Sequence, residues 1–293
     1  MRSDTDSENR ETSTLSDYSK KGREKMEYRE DRQLLEQIQK TARDAGEIIL
    51  SATKIAEQTT EKSGHGNFVT EYDKKVQAVL FEQLRLLIPE ANFVGEEDGA
   101  EQFREEYRKG YAFVVDPIDG TLNFMKGLEL SVISIGLLKD GVPYIGVIYN
   151  PYRDLMFSAI RGCGAFVNGK QMHSSREPLA RSLVEFGTAP YYPELNKRSF
   201  DVAAEYLKRG ADLRRFGTAA WDLCLCAWGK LGIYFELRLS LWDYCAGALI
   251  AMESGCRLTD EEGNPLSFHG PSSLFCASEG AAKEKYLPGD ILF

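Results

Sequence analysis

The sequence has no apolar run long enough to cross a bilayer and no apolar signal segment at its start. Positive charge is also scarce, because 36 Lys and Arg residues stand against 45 Asp and Glu residues and leave a formal net charge of −9. A surface that binds nucleic acid is normally basic. We therefore expect a protein that is not secreted, does not enter a membrane and does not bind nucleic acid.

Cysteine and histidine show no metal-binding pattern. The six cysteines form no Cys-x-x-Cys pair, and several lie in apolar runs, so we expect buried, reduced thiols of a cytoplasmic protein. The three histidines, His65, His173 and His269, also lack ligand spacing. Any metal that this protein binds is expected to have oxygen ligands.

The apolar residues are distributed as in a mixed α/β protein. Helical spacing from Leu35 to Ile49 and from Val76 to Leu87 predicts two helices, the second of which stops before Pro89. Strands are predicted over 111–115, 131–138, 142–149 and 155–160, with a hairpin turn at 139–141. The second half predicts helices near 194–208, 220–229 and 244–254 and strands near 213 and 233–237. Such an order favours mixed sheets layered with helices.

Residues 1–30 differ from the rest of the chain. Only five large apolar side chains interrupt their polar and charged residues, at Met1, Leu15, Tyr18, Met26 and Tyr28. This composition cannot bury enough apolar surface to offset the entropy of ordering the chain. We therefore predict a disordered N-terminal extension over 1–30, followed by one folded unit over 31–293.

The segment Asp116-Pro117-Ile118-Asp119-Gly120-Thr121 carries the strongest chemical signal. It follows an apolar strand, and α/β folds place their sites at the carboxyl ends of strands. One turn brings Asp116 and Asp119 to the same side, Gly120 allows close backbone approach, and Thr121 can open a helix whose N–H groups attract phosphate. A surface turn is the alternative interpretation, because Asp, Pro and Gly are common in turns.

Further acidic residues have an ordinary interpretation when each is taken alone. Glu96 and Glu97 belong to an acidic run that solvation would explain, whereas Asp73 and Asp243 resemble helix caps. Gathered together, such carboxylates would repel one another and raise each other's pKa. Hard divalent cations relieve that repulsion, and oxygen ligands favour Mg²⁺ or Ca²⁺ over zinc.

Three other kinds of phosphate chemistry lack their signatures. No cysteine is followed by arginine six positions later, as in cysteine phosphatases, and the two aspartates of the main motif are three apart rather than two. A Gly-x-x-x-x-Gly-Lys-Ser/Thr loop is also absent. These absences favour a metal-assisted hydrolysis in which water, not a side chain, attacks phosphorus.

Three motifs in order resemble the signatures of the inositol monophosphatase family: Gly95-Glu96-Glu97, Asp116-Pro117-Ile118-Asp119-Gly120-Thr121, and Trp242-Asp243-x-x-Ala246-Gly247. Lys62, Asp73, Glu236 and the run 216–220 fall where the family has related residues. The resemblance covers residue 33 to the end. It implies a layered α-β-α-β-α fold, a homodimer, and a Mg²⁺-dependent, lithium-sensitive phosphatase, in which 31–180 is the metal-binding half and 181–293 is the half that completes the site.

The resemblance also implies roles for single residues. Two or three Mg²⁺ ions per site would be bound by Glu96, Asp116, the Ile118 carbonyl, Asp119 and Asp243, with Lys62 on a loop nearby. Thr121, Asp73 and Glu97 would activate the attacking water. The substrate would be bound by Gly120, Thr121, Gly217, Thr218, Ala219, Glu236 and Asp243.

The sequence departs from the family pattern at three positions outside the proposed ligands: Asn67 for a frequent Asp, Cys245 for a common Ala, and Cys256 for a usual Gly. Leu122-Asn123-Phe124 resembles the inositol monophosphatase branch, which favours inositol monophosphate as substrate. Fructose bisphosphate, histidinol phosphate and 3′-phosphoadenosine nucleotides remain alternatives. A regulatory binding protein on the same fold is a further alternative, although the complete carboxylate set speaks against it.

Overall fold

A computed structural model describes residues 8–61, 68–98 and 105–283 of the 293-residue chain. Side chains are described from residue 29 onward, apart from Ala56 and residues 105–106. The chain forms six α-helices and fourteen strands within these residues. The helices are α1 (Glu8–Leu50), α2 (Glu71–Leu87), α3 (Thr121–Met125), α4 (Asn196–Leu207), α5 (Ala219–Ala227) and α6 (Leu241–Glu253).

The strands form three sheets. The first nine strands are β1 (Thr59–Glu61), β2 (Phe68–Thr70), β3 (Asn92–Gly95), β4 (Tyr111–Asp119), β5 (Val132–Lys139), β6 (Val142–Asn150), β7 (Leu155–Ile160), β8 (Ala165–Val167) and β9 (Lys170–Met172). The others are β10 (Leu183–Phe186), β11 (Asp212–Arg214), β12 (Ile233–Leu239), β13 (Arg257–Thr259) and β14 (Ser272–Ala277). A seven-stranded sheet runs from β3 to β9 in chain order, a five-stranded sheet has the order β11-β10-β12-β14-β13, and β1 pairs with β2.

Alternation along β4 explains the layering. Phe113 and Val115 point to the face that α1 and α2 cover, whereas Ala112 and Val114 point to the face that α5 and α6 cover. The five-stranded sheet packs on the other side of α5 and α6, and α4 covers its outer face. The fold is therefore an α-β-α-β-α sandwich, which confirms the predicted fold class.

Two glycines let α6 lie close to the seven-stranded sheet. Gly136 of β5 and Gly146 of β6 are register partners. A Cβ atom at Gly136 would lie 2.7 Å from the Sγ of Cys245, and one at Gly146 would lie 2.7 Å from the carbonyl oxygen of Ala246. Only the absence of side chains at these two positions permits this packing distance.

Most predicted elements are present with shifted ends. The apolar spacing from Leu35 to Ile49 lies in α1, α2 stops at Leu87 as expected, and the 139–141 turn has positive φ at Asp140 and Gly141. Five of the six cysteines are buried thiols, and Cys163 is partly exposed. No helix among the described residues is both long and apolar enough to span a membrane.

The N-terminal end of α1 differs from the expectation. The helix begins at Glu8, whereas we predicted disorder over residues 1–30; residues 1–7 lie outside the described part. Glu, Lys and Arg are good helix formers, so the local sequence favours a helix even where apolar residues are sparse. The division into an extension and a catalytic unit stays a prediction.

Candidate active site

The main motif occupies the carboxyl end of β4, where the strand is irregular. The register between β4 and β5 shifts between Asp116 and Asp119, which turns both carboxylates toward the end of the sheet. The Ile118 N–H donates to the Asp116 Oδ1 over 3.0 Å and fixes the turn between them. Asp116 is 2% exposed and Asp119 is 8% exposed, so both acids lie in a largely dry environment.

Neighbouring elements bring further carboxylates to this point. Strand β3 pairs in parallel with β4 so that Gly95 lies beside Val115, which places Glu96 next to Asp116. Asp243 is the third residue of α6, and its Oδ2 accepts a 2.6 Å hydrogen bond from the Ser240 N–H. Asp243 thus caps its helix, as the alternative interpretation had it, and also lies at the site.

The four carboxylates share one electrostatic environment. Burial raises the pKa of Asp116 well above its ordinary value, and the charges of Glu96, Asp119 and Asp243 raise it further. Burial raises the pKa of Asp119 to about 7. The pKa of Asp243 is raised well above its ordinary value by burial, then by the charges of Asp119 and Glu96. Removing these charges or adding a cation would relieve the repulsion.

The donor chemistry fits a hard divalent cation. The candidate ligands Glu96, Asp116, Asp119 and Asp243 all offer carboxylate oxygens, which suits Mg²⁺. Within residues 8–61, 68–98 and 105–283, no three Asp, Glu, His or Cys side chains are close enough to form a ready-made ligand cluster. The acids nevertheless lie close enough to raise one another's pKa.

Thr121 connects the metal-facing motif to a second buried acid. Its Oγ1 lies 3.2 Å from the Asp73 Oδ1 and 3.2 Å from the Ile118 carbonyl oxygen. The other oxygen of Asp73 accepts the Thr70 N–H at the start of α2 over 2.8 Å. Burial raises the pKa of Asp73. The structure thus has the Thr121–Asp73 hydrogen bond that a proton relay requires.

The Glu96–Asp98 turn is supported by α2. The Gln77 Oε1 accepts the Glu97 N–H over 3.0 Å, and a Cβ at Gly95 would overlap the Gln77 amide. The hydrogen bond fixes the backbone of Glu97. The role of the Glu97 carboxylate as a second proton acceptor stays a prediction. Lys62, predicted to lie on a loop near the metal, falls outside the described residues, as does Asn67.

The second half of the chain reaches the site through residues 216–220. The Ala220 N–H donates to the Asp119 Oδ2 over 2.6 Å. Gly120 has a φ of 84°, and a Cβ there would overlap the Thr218 hydroxyl. Gly217, Thr218 and Ala219, which we predicted to contact substrate, therefore lie against the main motif.

The Glu236 carboxylate accepts two hydrogen bonds that the sequence did not predict. Its Oε1 accepts the Ala189 N–H over 2.8 Å, and its Oε2 accepts the Tyr234 hydroxyl over 2.9 Å. A Cβ at Gly187 would overlap this carboxylate. Glu236 therefore supports the 187–189 backbone in this structure, and its contact with a substrate alcohol stays a prediction.

Several residues at or behind the site carry no chemical signal in the sequence. Tyr191 is 49% exposed. Burial raises the pKa of its hydroxyl, and the charges of Glu96, Asp243, Asp116 and Asp119 raise it further, which places the ring near the carboxylates. Asn123, Glu185 and Asp222 are also buried. Only apolar residues directly flanking Glu185 and Asp222 could have indicated that these two acids are buried.

Comparison with known proteins agrees with this geometry. A family model described as "Inositol monophosphatase family" matches residues 30–288. The chain is 36% identical over 232 residues to inositol monophosphatase 2 of Solanum lycopersicum, covering 76% of this chain and 85% of that protein. It is 34% identical over 248 residues to the Nus factor SuhB of Pasteurella multocida, covering 84% and 91%.

A solved structure extends the likeness to three dimensions. The crystal structure of an extragenic suppressor protein SuhB from Bartonella henselae superposes with a TM-score of 0.74 at 31% identity. The superposition covers 82% of this chain and 92% of that one.

Proposed function

This chain belongs to the inositol monophosphatase family, and we propose that it hydrolyses a small phosphate monoester, with inositol monophosphate as the leading substrate. One observation carries the proposal: buried and half-buried carboxylates from three separate elements share one electrostatic environment beside a Thr121–Asp73 hydrogen bond. A fold could retain one such acid for helix capping, but gathering four is costly unless a cation offsets their repulsion.

Mg²⁺ is the cofactor that these residues would hold. Glu96, Asp116 and the Ile118 carbonyl would bind one ion, and Asp119 and Asp243 would share a second with Asp116. Bound Mg²⁺ supplies positive charge that stabilises the transferred phosphoryl group and makes water a better nucleophile. The oxygen-only donor set, in which Asp116 and Asp119 are buried, supports this assignment.

The chain's own residues would move the proton. The attacking water gives its proton to the Thr121 hydroxyl, which passes its own proton along the 3.2 Å hydrogen bond to the Asp73 Oδ1. Burial raises the pKa of Asp73, so its carboxylate accepts a proton more readily than an exposed one. Glu97 is the second candidate acceptor. No covalent phosphoenzyme forms in this scheme.

The substrate would be bound from both halves of the chain. The amides of Gly120 and Thr121, at the start of α3, would face the phosphate. Gly217, Thr218 and Ala219 would face the alcohol together with Glu236 and Asp243. We further propose that the enzyme acts as a cytoplasmic, lithium-sensitive homodimer.

Two alternatives remain. The first is another substrate of the wider superfamily: fructose bisphosphate, histidinol phosphate or a 3′-phosphoadenosine nucleotide. A regulatory binding role is a second candidate, because several relatives are named Nus factors rather than phosphatases. The complete set of carboxylates favours the enzyme over the binding protein.

A substrate panel tests the proposal directly. Phosphate release is measured with inositol 1-phosphate, fructose 1,6-bisphosphate, histidinol phosphate and 3′-phosphoadenosine 5′-phosphate, first with Mg²⁺ and then with added Li⁺. We expect inositol 1-phosphate to be preferred, activity to require Mg²⁺, and Asp116→Asn to abolish it. A tenfold preference for the nucleotide would reject the branch, and no hydrolysis of any ester would favour the binding role.

A further inference from the structure

Residue Phe216 is held by two buried side chains from different halves of the chain. Its N–H donates to the Glu185 Oε1 over 2.6 Å, and its carbonyl oxygen accepts from the Asn123 Nδ2 over 2.7 Å. Glu185 lies on β10, whereas Asn123 lies on α3, 62 positions earlier in the chain. Both backbone groups of one residue are therefore fixed by side chains that lie outside its own segment.

Asn123 makes further contacts with the same segment. Its Nδ2 lies 2.8 Å from the Thr218 Oγ1 and 3.4 Å from the Gly217 carbonyl oxygen. The side chain is 8% exposed, so water competes little for these bonds. One amide thus spans three successive residues and ties them to the helix that follows the main motif.

Glu185 has no comparable role elsewhere among the described residues. Its side chain is fully buried, its Oε1 accepts the Phe216 N–H, and its Oε2 has no hydrogen-bond partner in the described part of the chain. Keeping a carboxyl in such surroundings is unfavourable. The hydrogen bond to the Phe216 N–H is the structural role that the described residues show for Glu185.

The segment beyond Phe216 matters because it reaches the carboxylates. Gly217 has a φ of 76°, in the left-handed region that glycine adopts readily. Because glycine has no side chain, it restrains the backbone less than other residues do. Three residues later, the Ala220 N–H binds the Asp119 Oδ2 over 2.6 Å. The turn at 216–218 leads directly into α5, so a displaced Phe216 would shift the first turn of that helix, including Ala220, relative to Asp119.

We propose that Asn123 and Glu185 are positioning residues that clamp Phe216, so that residues 217–219 face the substrate and Ala220 orients Asp119. This inference rests on the proposed function. The clamp also joins the half that carries α3 to the half that carries α5, so the two sides of the site keep one relative position.

Asn123→Ala tests the clamp, with Asn150→Ala as a matched control. Asn150 is also a fully buried asparagine, and it hydrogen-bonds to the Glu129 carbonyl and the Arg153 N–H instead of residues 216–220. Three quantities are measured for each variant: the melting temperature without metal, the Mg²⁺ affinity by calorimetry without substrate, and kcat and KM.

We expect both variants to lose melting temperature, but only Asn123→Ala to lose function. Misplacing a reacting group by about 1 Å can cost on the order of a hundredfold, so kcat/KM should fall at least about tenfold. Mg²⁺ affinity should fall at least about threefold, because Asp119 loses its fixed orientation. A shift in melting temperature with unchanged Mg²⁺ affinity and kcat/KM would reduce Asn123 to a structural residue and overturn the proposal.

A pair of substitutions at Glu185 gives an independent test. Glu185→Gln keeps a carbonyl oxygen that can accept the Phe216 N–H, whereas Glu185→Leu removes the acceptor at similar size. We expect Glu185→Gln to keep kcat/KM and Mg²⁺ affinity within about twofold and Glu185→Leu to lose both, since a buried N–H without a partner is costly. Equal behaviour of the two variants would refute the role of this hydrogen bond.

Failure of the proposed function and failure of the clamp give different experimental results. If the wild-type protein hydrolyses none of the panel esters, the proposed function fails, and Mg²⁺ calorimetry of the variants still decides the clamp. If the wild-type protein is active and the Asn123 and Glu185 variants match their controls, only the clamp fails. Should Asn123→Ala not fold, the Glu185 pair decides alone.

Discussion

We expect the Glu185→Gln substitution to increase the stability of the folded protein in a pH-dependent way. Burial raises the pKa of Glu185 from its ordinary 4.5 to about 8, against the lowering effects of the Phe216 N–H and then of the Arg215 charge. The nearby charge of Glu236 raises it further. The folded protein therefore holds a proton on Glu185 at pH values where the unfolded chain has released it.

The sign of the effect follows from this difference in bound protons. Below pH 4.5 the side chain is protonated in both states, so its ionisation costs no stability. As the pH rises from 4.5 toward about 8, the folded state becomes progressively less favourable, and above about 8 the full cost remains. Glutamine is neutral throughout and avoids this cost.

The magnitude follows from the size of the pKa change. The change from 4.5 to about 8 corresponds to roughly 5 kcal/mol at about 1.4 kcal/mol per pH unit. Asp222 lies in the field of Glu185, and its own pKa is raised well above its ordinary value by burial and then by Glu185. Relief of this repulsion on substitution acts in the same direction, so we expect the gain for Glu185→Gln to grow from about 1 kcal/mol at pH 5 to roughly 5 kcal/mol at pH 9.

Urea unfolding at pH 5, 7 and 9 in the presence of EDTA measures this gain. The free energy of unfolding of Glu185→Gln minus that of the wild type should increase with pH. Glu177→Gln, which makes the same chemical change at an exposed position, should follow the wild type at every pH. A difference that stays constant, or that decreases toward pH 9, would show that Glu185 is ionised in the folded protein at neutral pH, contrary to this prediction.

Four further predictions concern the site and the N-terminal extension. Asp119→Asn should lower turnover by orders of magnitude with little change in fold, because its amide oxygen still accepts the Ala220 N–H; near-normal turnover at moderate Mg²⁺ in a phosphate-release assay would reject Asp119 as a ligand. Thr121→Ala should lower kcat by about a hundredfold or more with nearly unchanged Mg²⁺ dependence, whereas Asp116→Asn should disturb both, as Mg²⁺ titrations of initial rates will show. Deletion of residues 1–30 should leave melting temperature and turnover intact, and a large loss of either would assign this segment a structural role. Rapid quench with ³²P-labelled substrate should recover no protein-bound phosphate, so stoichiometric labelling would contradict direct attack by water.

The sequence was informative wherever function depends on neighbours along the chain. Asp116, Asp119 and Thr121 lie within six residues, so their turn and their common side followed from local spacing. The short apolar run at 111–115 likewise predicted a strand, and the layered fold was confirmed.

Contacts between distant residues were not predictable in this way. Asn123 meets Phe216 across 93 positions and Thr218 across 95, and the sequence offered it only as a marker of a family branch. Glu236 could be placed near the substrate by resemblance, but its two hydrogen bonds depend on where the 187–189 backbone passes. Such pairings arise from the packing of one sheet against another, which local patterns do not encode.

The glycine pair beneath α6 has a consequence for how this protein tolerates change. Gly136 and Gly146 set the height of α6 above the sheet, and Asp243 stands in the first turn of that helix. Replacing a glycine in a strand by alanine is a common route to higher stability, because it restricts the unfolded chain. At these two positions an added methyl group would lift the helix and carry Asp243 away from Asp116 and Asp119. If Asp243 binds a metal as proposed, a substitution at either glycine should appear first as a change in metal affinity, because it would alter the spacing of the carboxylates.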